Sequence, residues 1–181
     1  MKLFFISDLH GSLPATELAL KKYEASAANY LVILGDLLNH GPRNPIPQGY
    51  QPAAVAQLLN NYSDQILAVR GNCDSEVDQM LLNFPMLESY SWVLLENGTR
   101  IFLTHGHLYN SDNRPPLKAG DVLAYGHTHL PVAERNGEQF IYNPGSITFP
   151  KEGNVPSYGL FEAGTFKVLS FSDEVLKQVS I

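Results

Sequence analysis

Five short strings constrain this chain more than any other feature: Asp8-Leu9-His10, Gly35-Asp36, Gly71-Asn72-Cys73-Asp74, His105-Gly106-His107 and Gly126-His127-Thr128-His129. They hold five of the six histidines. Each contains at least one oxygen or imidazole donor, and most follow directly on a run of apolar, β-branched or aromatic residues, as a ligand loop at the end of a buried strand does. A fold for this sequence must bring loops from positions 8 to 129 to one place, and the donor set reads as a dinuclear metal centre.

The runs between the strings suggest how. Lys2–Ser7 reads as a strand, and Ser12 to about Ala27 as a helix with Ser12 near its N-cap, Pro14 in the first turn and Leu13, Leu18, Leu20 and Tyr23 available to a core face. Tyr30–Leu34, a helix over Gln51–Tyr62 and the run Ile66–Val69 repeat that order, and a short helix is expected near Ser75–Leu82. Strand–loop–helix units with right-handed connections put their loops at the carboxyl ends of the strands, where Asp8, His10, Asp36 and Asn72 then converge.

The second half is mostly β. Trp92–Glu96 and Arg100–Thr104 flank Asn97-Gly98, Pro131–Arg135 and Gln139–Tyr142 flank Asn136-Gly137, and Gly159–Glu162 and Phe166–Phe171 flank Ala163-Gly164, with Asp121–Tyr125 as one more strand. The two histidine strings lie in this half and must reach the N-terminal ligands, so one domain over residues 1–181 with two packed sheets is expected. Leu38–Pro52 carries four prolines and two glycines, which excludes a helix or an interior strand; it is read as a long loop leaving Asp36 and overhanging the site. Tyr109–Pro116 is read in the same way.

The formal net charge of −6 argues against wrapping of extended nucleic acid, which needs a basic face. The first apolar run is too short for a membrane span or a signal-peptide core, and the lone cysteine, Cys73, excludes an internal disulfide framework, so the cytoplasm is the expected compartment. Oligomeric state stays open, a homo-oligomer included.

Carboxylates and imidazoles together suit manganese, iron or zinc, whereas an all-oxygen set favours magnesium or calcium. A carboxylate such as Asp36 can bridge two ions about 3.5–4 Å apart, a separation at which a shared hydroxide of pKa about 7 serves as nucleophile at phosphorus. Arg43 is the best candidate for a substrate phosphate, with Asn39 and His40 beside it. Arg70 is read as a brace for the Gly71 loop, Asp74 as a residue that orients it, and Asn143-Pro144-Gly145-Ser146 as a tight turn supporting the histidine loop.

In order and spacing, the five strings resemble the D-x-H, G-D, G-N-x-D, H-G-H and G-H-T-H motifs of the calcineurin-like metallophosphoesterases, and most closely the YfcE-type phosphodiesterases. The likeness runs over nearly the whole chain. It implies an α/β fold, an αββα sandwich of two mixed β-sheets flanked by helices, and a metal-dependent hydrolase of small phosphodiesters. It also implies two divalent ions, manganese first, with iron, zinc or nickel as alternatives. Asp8, His10 and His129 would hold one ion, Asn72, His105 and His127 the other, with Asp36 bridging. Where many members have histidine in the third string, this chain has Cys73, which leaves Cys73 or His107 to assist the leaving group. A phosphomonoesterase, a nuclease, and a non-catalytic scaffold such as the retromer subunit of the same fold are the alternatives.

Overall fold

The computed structural model describes residues 1–181 and contains two sheets lying face to face. The first is built on β1 (Leu3–Ile6), β2 (Tyr30–Ile33) and β3 (Ile66–Ala68), which pair in parallel. It is extended by β9 (Ser157–Glu162), antiparallel to β1, then by β10 (Thr165–Ser170) and β11 (Val175–Ser180), giving the order β11-β10-β9-β1-β2-β3. The second runs β4-β5-β6-β8-β7, from β4 (Tyr90–Leu94), β5 (Arg100–Thr104), β6 (Val122–Ala124), β7 (Pro131–Asn136) and β8 (Gln139–Pro144). Its three central strands are parallel and its two edges antiparallel.

β1 reads as an unbroken apolar run because both its faces are covered. Phe4 and Ile6 point to the helices α1 (Leu13–Ser26) and α2 (Pro52–Asn60), while Leu3 and Phe5 point into the core shared by the two sheets. Leu31 and Ile33 against Val32 and Leu34 repeat the division on β2. At about 25 cal/mol per Å² of apolar surface, each such side chain contributes about 2 kcal/mol by burial.

Ser12 and Ala27 cap α1 as expected, but Leu18 is 43% exposed; the inward face is Thr16, Ala19, Leu20 and Tyr23. The helix expected over 75–82 is the single turn α3 (Glu76–Gln79), closed by a capping box in which Asp78 answers Ser75. The flanking helices all belong to the first sheet. Phe102, Leu123, Tyr125 and Ile141 on the outer face of the second are covered by Tyr109 and Leu117 from the helix-free segment 105–121. No helix is long and apolar enough to cross a membrane.

Candidate metal centre

The five strings meet at one end of both sheets. β1, β2 and β3 deliver Asp8, Asp36 and Asn72 from their carboxyl ends, and β5 and β6 deliver His105 and His127 from theirs. Backbone hydrogen bonds lash the loops together: Asp8 N–H to Gly35 O at 3.1 Å, His10 N–H to Asp36 O at 2.9 Å and Gly126 N–H to His105 O at 2.8 Å. A Cβ at Gly71 would strike the Asp36 carboxylate and backbone nitrogen, so only glycine lets these two loops approach.

Asp8, His10, Asp36, His127 and His129 all have positive φ, between 50° and 62°. Asp and His tolerate this left-handed region better than most residues, yet each instance costs about 1 kcal/mol. Among non-glycine residues the remaining positive angles fall at Ala27, Glu152, Ala163 and Asp173. Strain concentrated on the candidate ligands marks a site that the fold holds against local preference.

The donor atoms fall into two overlapping groups. Asp8, His10 and His129 lie with one donor atom each within 4.8 Å of one another, and so do Asp8, Asp36 and His105. His105 Nε2 lies 3.1 Å from Asn72 Oδ1 and 3.3 Å from His127 Nδ1. Asp36 Oδ2 stands between the groups, 3.7 Å from His10 Nε2 and 3.4 Å from His105 Nε2. The other oxygen, Oδ1, accepts the Cys73 N–H at 2.8 Å, which fixes the carboxylate with Oδ2 facing both groups.

Three rings are fixed from behind. His10 donates from Nδ1 to Asn39 O at 2.9 Å, His105 to Leu34 O at 2.7 Å and His129 to Phe149 O at 2.5 Å, leaving each Nε2 aimed into the site. Asp8 Oδ1 and His10 Nε2 are buried with no hydrogen-bond partner. Buried polar atoms left this way are costly, and oxygens and imidazole nitrogens in this mixture suit first-row divalent cations. A third group, His10, Asp36 and Cys73, is also close enough to hold an ion.

Among the protein's own groups, charge balance falls to His105: against the opposing effect of burial, Asp36 and Asp8 raise it to about 9. Burial and the crowd around His105 lower His127 to about 4 and lower His107 as well. Burial, then Asp36, pushes the Cys73 thiol up to about 12, so the sulfur is protonated at neutral pH. Asp74 rises to about 6 through burial and the Asp36 charge, although the N–H groups of Asp36, Leu37 and Gly71 all donate to it at 2.7–2.8 Å. It is the hub on which the second and third loops hang. Arg70 braces the same turn, donating to Asp74 O at 3.1 Å.

The turn 143–146 ties the two sheets together at the site. Asn143 Nδ2 donates to Gly126 O at 2.8 Å and Thr128 Oγ1 at 3.0 Å, its Oδ1 accepts Gly145 N–H at 2.9 Å, and Ser146 Oγ donates to Asp8 O at 3.0 Å. Thr148 Oγ1 adds a bond to Leu9 O at 2.8 Å.

A cavity of about 430 Å³ opens over the donors, walled by Asp36, Asn72, Cys73, His127 and His129 and by Pro42, Arg43 and Asn44 from the long loop. Arg43 therefore stands where the sequence placed it. Asn39 does not: its Oδ1 accepts the Gly41 N–H at 2.8 Å and its side chain is absent from the cavity wall, because it shapes the turn that carries Arg43. His107 lies behind the wall, its ring 5.4 Å from that of His105, with Nδ1 buried and unpartnered. Lys151, which no motif announced, lines the cavity. Its only sequence cue is a place a few residues past the Asn143–Ser146 turn.

Residues 1–165 match the model of the calcineurin-like phosphoesterase superfamily domain. The chain is 57% identical to Phosphodiesterase YfcE of Escherichia coli K12 over 182 residues, covering 100% of this chain and 98% of that protein. It superposes on the solved structure of that E. coli phosphoesterase with a TM-score of 0.98, 55% identity and full coverage of both chains. A zinc complex of Vps29 from Entamoeba histolytica shares the fold, with a TM-score of 0.64 and 20% identity over 99% of each chain.

Proposed function

The chain belongs to the calcineurin-like phosphoesterase superfamily and is a metal-dependent phosphodiesterase, and on that premise we propose that it hydrolyses small phosphodiesters at a centre of two divalent ions. Asp8, His10 and His129 hold one ion, Asn72, His105 and His127 the other, and Asp36 is shared. One observation carries this reading: Asp36 Oδ2 faces both groups at once, beside a carboxylate oxygen and an imidazole nitrogen that are buried without partners. Such ions, when bound, supply a hydroxide nucleophile of near-neutral pKa and neutralise the charge that develops at phosphorus.

The chain's own residues do the rest. The carbonyls of Asn39, Leu34 and Phe149 fix the tautomer and tilt of three imidazoles. Arg43 binds a non-bridging phosphate oxygen from the cavity wall, as a planar two-pronged donor does best. Cys73 on the wall and His107 behind it are the side chains from which a proton can reach the leaving oxygen, directly or through water. We assign the ions as manganese by resemblance and the compartment as cytoplasm from the single unpaired cysteine. The whole chain works as one domain, its two sheets sharing a core.

A protein scaffold has no need of five donors on strained backbone, two of them with orphaned buried atoms, and the acidic balance disfavours long nucleic acid. The test is to strip the protein with chelator, restore manganese, iron, zinc or nickel singly, and assay bis(4-nitrophenyl) phosphate beside 4-nitrophenyl phosphate. Diester hydrolysis restored by an ion, with two ions bound per chain by calorimetry, is the expected outcome. Faster monoester turnover overturns the diester assignment, and one bound ion overturns the shared role of Asp36.

A further inference from the structure

The cations on the cavity wall are Arg43 and Lys151, and they come from different elements, the loop after β2 and the segment between β8 and β9. Both sit on braced turns. Asn44 N–H donates to Gly41 O at 3.1 Å and Asn44 Nδ2 to His40 O at 2.9 Å beneath Arg43. The Lys151 carbonyl accepts two bonds from Asn154, from N–H at 3.0 Å and Nδ2 at 2.9 Å. Between them Glu152 and Gly153 hold φ of 54° and 75°, a tight turn that glutamate adopts only under strain.

Two residues upstream, Phe149 donates its N–H to Ser146 Oγ at 2.8 Å and accepts from His129 Nδ1 at 2.5 Å, so the backbone leading to Lys151 is fixed to a candidate ligand. The ammonium itself is free. Lys2 and Lys22 pair with Glu162 and Asp173, but Lys151 enters no ion pair although Glu152 adjoins it.

Charge bookkeeping says what such a cation is for. The ions and Arg43 meet the single charge of the scissile diester, so the second cation on the wall, Lys151, matches charge elsewhere on the substrate. We infer that Lys151 binds a second anionic group carried on one arm of the phosphodiester, Arg43 staying with the scissile phosphate, and so determines specificity for diesters bearing a phosphate or carboxylate there. This rests on the phosphodiesterase reading above.

The probes are thymidine 5′-(4-nitrophenyl phosphate) and its 3′-phosphorylated and 3′-O-carboxymethyl forms, assayed with the metal-loaded protein. The wild type prefers a charged form, and the more favoured of the two identifies the group. In Lys151→Met the ratio of kcat/KM, charged over uncharged, falls about tenfold, the worth of one partly exposed charge-assisted hydrogen bond; Lys151→Arg restores it and Lys177→Met leaves it unmoved. Binding gives a readout without turnover: Lys151→Met weakens thymidine 3′,5′-bisphosphate more than thymidine 5′-monophosphate by calorimetry. A wild type indifferent to the 3′ group, or equal losses on all probes, overturns the role of Lys151 while leaving the enzyme a phosphodiesterase. Hydrolysis of no diester with any ion overturns the underlying reading itself.

Discussion

Asp8 and Asp121 are both wholly buried aspartates, at opposite ends of the paired sheets, and the structure treats them in contrary ways. Asp121, just before β6, accepts Arg100 Nε at 3.1 Å, a second guanidinium nitrogen, and the Lys118 N–H at 2.9 Å. The guanidinium lies 4.6 Å over the ring of Trp92. Asp8, just after β1, accepts the His127 N–H at 3.1 Å through Oδ2, while Oδ1 meets only imidazoles whose other nitrogens are engaged or crowded. A buried carboxylate with its own arginine is a finished joint. One ringed by histidines on strained backbone is a socket shaped for a cation that the chain does not encode.

The sharpest way to break this contrast is to neutralise each aspartate. Asp8→Asn should lower diester turnover by at least about a thousandfold and abolish the rise in Tm on adding manganese, yet lower the Tm of the chelator-treated protein less than Asp121→Asn does, since the counter-charge of Asp8, His105, is shared with Asp36. Asp121→Asn should do the reverse, keeping metal-dependent turnover while giving the larger loss of stability by denaturant unfolding. The Asp121 penalty depends on pH. Burial pushes this carboxyl up, but Arg100 and the Lys118 N–H outweigh it and hold the group below its usual value. Its contribution is therefore full above about pH 4 and disappears as pH falls through the lowered pKa, where wild type and variant converge. If both variants unfold alike, the distinction between joint and socket is wrong.

A smaller effect tests the socket's supports. Asn143→Ala removes the bonds to Gly126 and Thr128 that steady the His127–His129 loop, and manganese affinity by calorimetry should weaken about 10- to 100-fold. Unchanged affinity would mean that the loop is held by its own backbone. The smallest effect is expected at Cys73. Cys73→Ser should slow alkyl diesters by less than about tenfold and leave aryl diesters alone. Equal rates for both ester types, or equal losses, would remove the thiol as a proton donor.

The socket was legible in the sequence, for a physical reason, and the Asp121–Arg100 joint was not. Strands buried on both faces, such as Leu3–Ile6 and Tyr30–Ile33, write themselves as apolar runs, and ligand loops interrupt those runs with Asp, His, Asn and Gly. β11 left no such trace. Its pairing with β10 slips at Val168/Leu169, so Leu176 and Val179 turn inward three residues apart and the alternation of a strand is lost. Leu18 lay close enough to the inward stripe of α1 to be assigned there, yet ends beside Pro14 and Phe149 at the surface. Lys151 carries no motif because its place depends on the turn at Glu152-Gly153 and on Phe149 reaching His129, contacts that span the two sheets. Asn39 misled for the converse reason: a polar side chain in a loop over a site can serve the loop.

The pairing of β1 with β9 sets an order of events. Leu3 waits for Phe161 and Phe5 for Gly159, and the Asp8 loop waits for Ser146, so β1, made before every other strand of the two sheets, is among the last to acquire both its neighbours. Contacts so distant in sequence are slow to form. The seven candidate donors are all synthesised by residue 129, but the turn that aligns them arrives later. An ion that needs the assembled site can select only chains in which that turn is already made and docked, and its capture then reports that the two sheets have joined.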